Sequence, residues 1–551
     1  MKSHVPKALA VICPPLGQEY MSSHRTLRHL ADAFADVDVA SIRMDYLNTG
    51  NSSDTGVAYP SMSDCIESVV TLCEQLQRDE KIENIILLGF GLGASIAFQA
   101  AKQRDIHTLV LWEPCIKGRR LLRELRLLSG VVGGRECEVN DVVGLTLTGQ
   151  LIGELEALDL ENEEPTKAAN TIYLYRNDRG PSQKLLASLA ASNTNAIQMA
   201  YEGYEGIVDF PTETLVPYHV INRIVATVSR RVPETATVSL ECMNKTSRDN
   251  IIDTTVKEEL LLFGANKLLF GVLAQPVDTV DKNQPVILFL NCGSEHNVGP
   301  HRMYTRFSRK LAEKGGVSFR FDIEGIGDSF ANGKNQDNMA YSPVAMKDIG
   351  EAIIVLKEYG FSRFILSGIC AGAYHSFKAV SELGEGLVED AILVNPLVFD
   401  WSFVGENGGE YLHSISEVYR YKSTFFKLNH WKKLLSGKSN IASVLGVFTQ
   451  YAKLRAYNLI SRVVKGNEGP VIRRLNKIAE KKCRLMLVLS EGEPGYQILA
   501  VSAGKEINKL RDSGLLNIIH IDGGDHGLSK RFMQDELYRI IESVYLKNRG
   551  Y

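Results

Sequence analysis

The chain has no apolar run long enough to cross a bilayer, no Cys-x-x-Cys pair, no Cys/His spacing of the zinc kind and little net charge of either sign. Each absence removes a class of protein. A membrane-spanning helix needs about 20 predominantly apolar residues. The opening "MKSHVPKALAVICPPLGQEY" has a short apolar run followed by Pro-Pro and charge, which also makes a poor signal peptide. Nine cysteines without paired spacing suggest a reduced, intracellular protein rather than a disulfide or zinc framework. A formal net charge of −3 argues against general nucleic-acid binding. The expectation is a cytoplasmic protein with no membrane span and no metal.

The composition, 44% hydrophobic and 23% charged, is that of an ordinary globular chain. A length of 551 residues exceeds one core and fits two large α/β domains. The sequence also repeats itself. "ALAVICPPLGQEYMSSHRTLRHLADAFADVDVASIRMDYLNTGNSS" and "PVILFLNCGSEHNVGPHRMYTRFSRKLAEKGGVSFRFDIEGIGDSF" each read as strand, loop, helix, strand and Gly-rich turn. His24-Arg25 lie 21 and 20 residues before Asp45, and His301-Arg302 lie 21 and 20 before Asp322. In both, the first helix is expected to open near the His-Arg pair. "ENIILLGFGLGASIAFQAA" and "SRFILSGICAGAYHSFKAV" continue the parallel, each an apolar strand, a Gly-rich elbow and a small-residue helix. Alternating strands and helices predict mostly parallel βαβ sheets in both halves, hence an α/β fold arising by tandem duplication. The expected boundary is near Val232-Pro233, giving domains 1–232 and 233–551, with leading antiparallel strands in the second.

Gly-x-Cys-x-Gly around Cys370 has the shape of a nucleophile elbow, in which the reacting residue sits on a strained strand-to-helix turn at a helix N-terminus. Such a position favours a thiolate. Alone, the motif also suits a small buried cysteine or the relic of a lost serine. Context favours catalysis, because an acid and a histidine follow in the expected order. "CRLMLVLSEGEPG" offers Glu493, preferred to Glu491 because it lies deeper in the turn, and "IHIDGGDHGLSK" offers His526. His520, within the strand, reads as structural. The candidate oxyanion donors are the backbone N–H groups of Ala371 and of Cys292 or Gly293. His296, His301 and Arg302 are candidate substrate-binding residues, the His301-Arg302 pair having a structural alternative. The first half supplies a control: Gly91 stands where Cys370 does and Gly206 where His526 does, so that half should be catalytically silent.

Together these features resemble the α/β-hydrolase superfamily in both halves. "GPHRMYTRFSRKLAEKGG", "RFDIEGIGDS", "GICAGA" and "NPLVF", with "WEPCIKGRRLLRELRLL" and "VGLTLTGQLIGELEALDL" in the first half, are similar to hydrolases associated with exosortase A systems. The elbow of that group can likewise present cysteine, and dienelactone hydrolases also place a cysteine nucleophile on this fold. The resemblance implies two tandem α/β-hydrolase domains and acyl chemistry, with Glu where aspartate is the commoner acid.

A thiolate exchanges readily with thioesters, so the leading expectation is a thioesterase or acyltransferase working through an acyl-Cys370 intermediate in specialised-metabolite or envelope-glycan biosynthesis. The alternatives are an ester, lactone or C–C hydrolase acting on a free small molecule, and a non-catalytic binding or scaffold protein. An insertion at about 401–482 reads as a helical cap. Between Glu417 and Arg484 it carries 16 Lys+Arg against 3 Glu, which fits a solvated face or a docking surface for an acidic acyl-carrier protein or CoA, with Arg462, Arg473 and Arg474 as candidate contacts. The silent half is expected to serve as scaffold, homodimer surface or pocket wall. No cofactor is implied: the glycines of "GFGLGAS" fail the dinucleotide fingerprint at its third position.

Overall fold

A computed structural model describes residues 6–54, 59–78, 82–132, 141–142, 145–191, 195–233, 238, 249–252, 254–332, 337–384, 386–401 and 469–549. The chain divides into two compact units, Met1–Asp253 and Thr254–Tyr551. Among the described residues no helix is long and apolar enough to cross a membrane.

The first unit runs β1 (Ala8–Cys13), α1 (Gln18–Ala35), β2 (Val39–Arg43), α2 (Met62–Arg78), β3 (Ile85–Phe90), α3 (Leu92–Ala101), β4 (Ile106–Trp112) and α4 (Gly118–Val132). A two-residue ladder, β5 (Asp141–Val142) with β6 (Leu145–Thr146), precedes α5 (Gly149–Ala157), β7 (Ala168–Arg176), α6 (Gln183–Ala191), β8 (Asn195–Tyr201), α7 (Tyr204–Val208) and α8 (Tyr218–Ser229). The main sheet has the order β2-β1-β3-β4-β7-β8, parallel throughout. Strands buried on both faces explain the continuous apolar runs of the sequence. The two-residue pleat divides β1 between two cores. Leu9, Val11 and Cys13 face one, Ala8, Ala10 and Ile12 the other.

The second unit's sheet includes β9 (Asp249–Ile251), β10 (Val256–Phe263), β11 (Leu269–Pro276), β12 (Val286–Leu290), β13 (Val317–Phe321), β14 (Phe364–Ile369), β15 (Val388–Val394), β16 (Arg484–Ser490) and β17 (Leu516–Ile521). Its order is β17-β16-β15-β14-β12-β13-β11-β10-β9. Strand β11 pairs antiparallel with both β10 and β13, while β13 through β17 form a parallel block. Helices α9 (Met303–Glu313), α10 (Ala345–Glu358), α11 (Ala371–Glu382), α12 (Pro470–Glu480), α13 (Gly495–Asp512) and α14 (Arg531–Arg549) complete it. Residues of α9 and α14 join one core, and those of α10, α11, α12 and α13 the other. The α/β expectation therefore holds for both units, each a mostly parallel sheet covered by helices on two faces.

Two expectations meet the structure differently. The first helix of the first unit opens at Gln18, six residues before His24, so His24-Arg25 lie inside α1. In the second unit His301-Arg302 form a short 3-10 turn with positive φ, 53° and 62°, immediately before α9. Of the expected cap, residues 402–468, including Arg462, lie outside the described residues. Its final stretch is helix α12, whose Val471, Ile472, Leu475 and Ile478 are buried in the domain's own core.

Candidate active site

Strand β14 delivers Cys370 to the turn before α11. Cys370 holds φ 56° and ψ −110°, a conformation that L-residues rarely adopt. The flanking glycines permit it. A Cβ built on Gly368 would lie 2.4 Å from the backbone of Gly372, and one on Gly372 would lie 2.7 Å from the Leu290 carbonyl, so helix and strand close to a distance that only glycine allows. The Cys370 N–H donates to the Val394 carbonyl at 2.9 Å, anchoring the elbow to the end of β15.

His526 and Glu493 come from the loops after β17 and β16. His526 Nδ1 is 3.0 Å from Glu493 Oε1, and the Cys370 sulfur is close enough to act on its charge. Burial disfavours the imidazolium, but the neighbouring Cys370 sulfur and the Glu493 carboxylate outweigh it and hold His526 well above its ordinary pKa. Glu491 turns elsewhere: its Oε2 accepts the Gly523 N–H at 3.1 Å. Asn395, buried and at φ 46°, ties the two loops together. Its Nδ2 donates to Ser490 Oγ and to the His526 carbonyl, both at 2.9 Å, and its Oδ1 accepts the Ser490 N–H at 2.8 Å. No motif in the sequence assigns Asn395 this role.

The loop after β12 holds the other candidate oxyanion groups, Cys292 and Gly293. Asn291 Nδ2 donates to the Glu295 carbonyl at 2.9 Å and to Asp322 at 2.8 Å, while Glu295 N–H closes a turn onto the Cys292 carbonyl at 3.0 Å. Asp322, repeated at equal spacing in both halves, is thus a loop clamp, and burial pushes its carboxyl up to about 6. Burial pushes the Cys292 thiol well above its usual range, with Glu295 and Cys370 adding to the effect. As the first residue of α11, Ala371 carries an N–H with no acceptor inside the helix.

An aromatic wall completes the site. Tyr341 stacks on Trp401 with centroids 4.0 Å apart, and its hydroxyl is 3.8 Å from Cys370 Sγ. Tyr374, Leu397 and Val398 pack in the same cluster. These residues were invisible as a group in the sequence because they come from three separate segments.

The candidate binding residues scatter. His296 is buried, with 2% exposure, whereas His301 and Arg302 are partly exposed at the start of α9. Arg473 is exposed on α12, and Arg474 is engaged within the domain, donating to the Phe399 carbonyl at 3.1 Å beside Asp400 at 3.7 Å. Among the described residues, no group of three or more His, Cys, Asp or Glu side chains is arranged to hold a metal ion.

In the first unit the corresponding space is filled. Gly91 takes φ 57° and ψ −127° at the elbow, and a Cβ there would lie 2.6 Å from Glu19 Oε2. Tyr204 donates to Glu19 Oε1 at 2.8 Å, and burial raises the Glu19 pKa. Gly206, aligned with His526, lies in α7 with Leu215 against it.

Residues 6–209 match the family model described as serine aminopeptidase, S33, a match that lies within the unit whose elbow is Gly91. No curated protein matches the sequence. Solved structures similar to the chain include esterase Est22, 13% identical over 54% of this chain and 80% of that one, with a TM-score of 0.33. The acetyl xylan esterase of Paenibacillus sp. R4 is 12% identical over 54% and 87%, TM-score 0.31. A proline iminopeptidase of Mycobacterium smegmatis is 12% identical over 53% and 98%, TM-score 0.31. By the architecture of both its sheets, and by the family model over residues 6–209, the chain has the α/β-hydrolase fold.

Proposed function

We propose that the second unit is a cysteine-dependent acyl-transfer enzyme, a thioesterase or acyltransferase, with Cys370 as nucleophile, His526 as base and Glu493 as its orienting acid. The observation that carries this reading is the pair Glu493 Oε1–His526 Nδ1, 3.0 Å apart, on the loops beside a positive-φ elbow that bears Cys370, whose sulfur raises the histidine's pKa. A nucleophile linked to a base that is itself oriented by a third group is the arrangement covalent catalysis requires.

In this reading the Cys370 sulfur adds to the acyl carbon of a thioester or ester and its proton passes to His526. The bond to the leaving group breaks, and the leaving group takes that proton. Water, an alcohol or an amine then adds to the acyl-cysteine while His526 accepts its proton, and the Cys370–carbon bond breaks to release product as His526 returns that proton to the sulfur. The N–H groups of Ala371 and of Cys292 or Gly293 serve the developing oxyanion. The acyl chain lies against Tyr341, Tyr374 and Trp401, which favours a substrate with an apolar or aromatic acyl part. A place in specialised-metabolite or envelope-glycan biosynthesis belongs to the same reading. The first unit, by tandem duplication, is a silent copy.

Ester, lactone or C–C hydrolysis of a free small molecule is the second reading. It is favoured by the use of Arg474 inside the domain, which withdraws one candidate contact from carrier docking. Salt separates the two, since docking through a basic face weakens as ionic strength rises. The primary test is intact-protein mass spectrometry after incubation with a panel of acyl thioesters and oxoesters. An acyl adduct that maps to Cys370 and is absent in Cys370→Ala supports the proposal, and full turnover by Cys370→Ala rejects it.

A further inference from the structure

Tyr341 sits in the connection between β13 and α10, outside every motif that marks the elbow, the acid or the histidine. Its ring is held on three sides: stacked on Trp401 at an interplanar angle of 8°, tilted against Tyr374 at 5.5 Å and against His375 at 6.2 Å. It is 8% exposed. Its hydroxyl is therefore placed by packing rather than free to rotate about a surface side chain, and its hydrogen-bond partner among the described residues is Cys370 Sγ at 3.8 Å. A buried hydroxyl normally finds an oxygen or nitrogen partner. One aimed at the nucleophile instead calls for a role in the chemistry.

We propose that Tyr341 is a further catalytic residue of this site, a side-chain oxyanion donor whose hydroxyl binds the oxygen that becomes negative when Cys370 adds to an acyl carbon. The proposal rests on the acyl-transfer reading above. When sulfur bonds to the acyl carbon, the oxygen on that carbon lies two bonds from the sulfur, within reach of a donor 3.8 Å from Sγ. Preorganised donors aimed at a developing charge in a site shielded from water give the largest gains. Burial pushes the phenol pKa well above its usual range and the negative charge of Cys370 pushes it further, so the hydroxyl keeps its proton throughout the working pH range. Tyr341 would then act together with the backbone N–H groups of Ala371 and of Cys292 or Gly293.

Tyr341→Phe tests this with the ring stack retained, using two reactions of the same sulfur. Acylation by a thioester passes through an oxyanion; alkylation by iodoacetamide does not. The expected result is a fall of about 10²- to 10³-fold in the rate of acyl-Cys370 formation, the range for losing one oxyanion donor, carried by kcat with KM little changed. Alkylation should stay within about twofold of wild type or rise, since the thiolate loses a hydrogen bond. Equal losses in both reactions would overturn the proposal and make Tyr341 a group that only tunes the thiol. Unchanged acylation would overturn it and leave the ring as pocket wall. If wild-type Cys370 is alkylated but takes no acyl group from any ester or thioester, the acyl-transfer reading fails and this inference with it. Acylation that is normal in both proteins defeats the Tyr341 assignment alone.

Discussion

Gly91 and Cys370 occupy the same turn in their respective units, at φ 57° and 56°, each donating its N–H to the last residue of the adjacent strand, Trp112 at 3.0 Å and Val394 at 2.9 Å. The first unit has the same elbow backbone with no side chain on it. Glu19 occupies the space beside it, with Oε2 at 2.6 Å from where a Cβ would stand. Gly91→Ala should therefore cost about 2 kcal/mol or more, combining positive-φ strain with displacement of a buried carboxylate. Glu19→Ala on that background should recover part of the loss, and urea unfolding of the two single variants and the double variant measures the coupling. Equal losses in Gly91→Ala and the double variant would show that the Glu19 contact does not matter.

Glu493 and Glu491 lie two residues apart and divide two tasks. Glu493 Oε1 lies 3.0 Å from His526 Nδ1, whereas Glu491 accepts the Gly523 N–H ahead of it. Glu493→Gln should lower kcat/KM by about 10²- to 10⁴-fold, because an amide presents the wrong group to Nδ1 and no charge to an imidazolium. Glu491→Gln should stay within about threefold, as a loop contact that an amide oxygen can still make. Steady-state kinetics on whichever ester the adduct screen identifies decides between the two.

How far the sequence reaches is clear from particular residues. The turns that carry Cys370, Glu493 and His526 were legible because each follows an apolar strand and is rich in glycine, and such turns at the C-terminal ends of parallel strands converge. His526 and Glu493 pair at 3.0 Å in the structure. The opening of α1 was misjudged because the chain enters that helix through Gly17, at φ 66°, with no capping side chain to mark it. Tyr341, Asn395 and Glu295 were not legible at all. Tyr341 follows a Gly/Asn-rich stretch with no periodicity, and its meaning comes from Trp401, 60 residues later. Asn395 is one residue of "NPLVF" until the fold brings Ser490 and His526 to it.

Glu295 is the third of these. Its Oε2 is buried with no hydrogen-bond partner among the described residues, and burial pushes its carboxyl up to about 8 despite an opposing pull from His526. A raised acid pKa contributes stability that is complete below the unfolded value, near 4.5, and is lost as pH climbs through about 8. Wild-type protein should therefore lose stability between pH 5 and pH 9. Glu295→Gln should lose less, leaving its Tm about 2–4 °C above wild type at the alkaline end. Thermal melts across that range check this, and parallel curves for the two proteins would contradict it.

Glu258 presents the opposite electrostatic case. On β10, with 2% exposure, it accepts from Arg309 Nη2 and Arg320 Nη2, each at 2.8 Å, so that α9, β10 and β13 meet at one buried carboxylate. Burial alone would raise its pKa, but Arg320 and Arg309 outweigh burial and hold it below the usual range. Its contribution is thus present above the unfolded pKa and lost as pH falls through the folded one. Glu258→Gln removes a counter-charge shared by two buried guanidinium groups and should cost about 3–5 kcal/mol by urea unfolding at pH 7. Replacing all three residues together with apolar side chains of similar volume should cost much less, because desolvation of the ions disappears along with their attraction. A single variant no worse than the triple would mean that the arginines find other partners, and that the triad fixes the geometry of β10 against α9 without stabilising it.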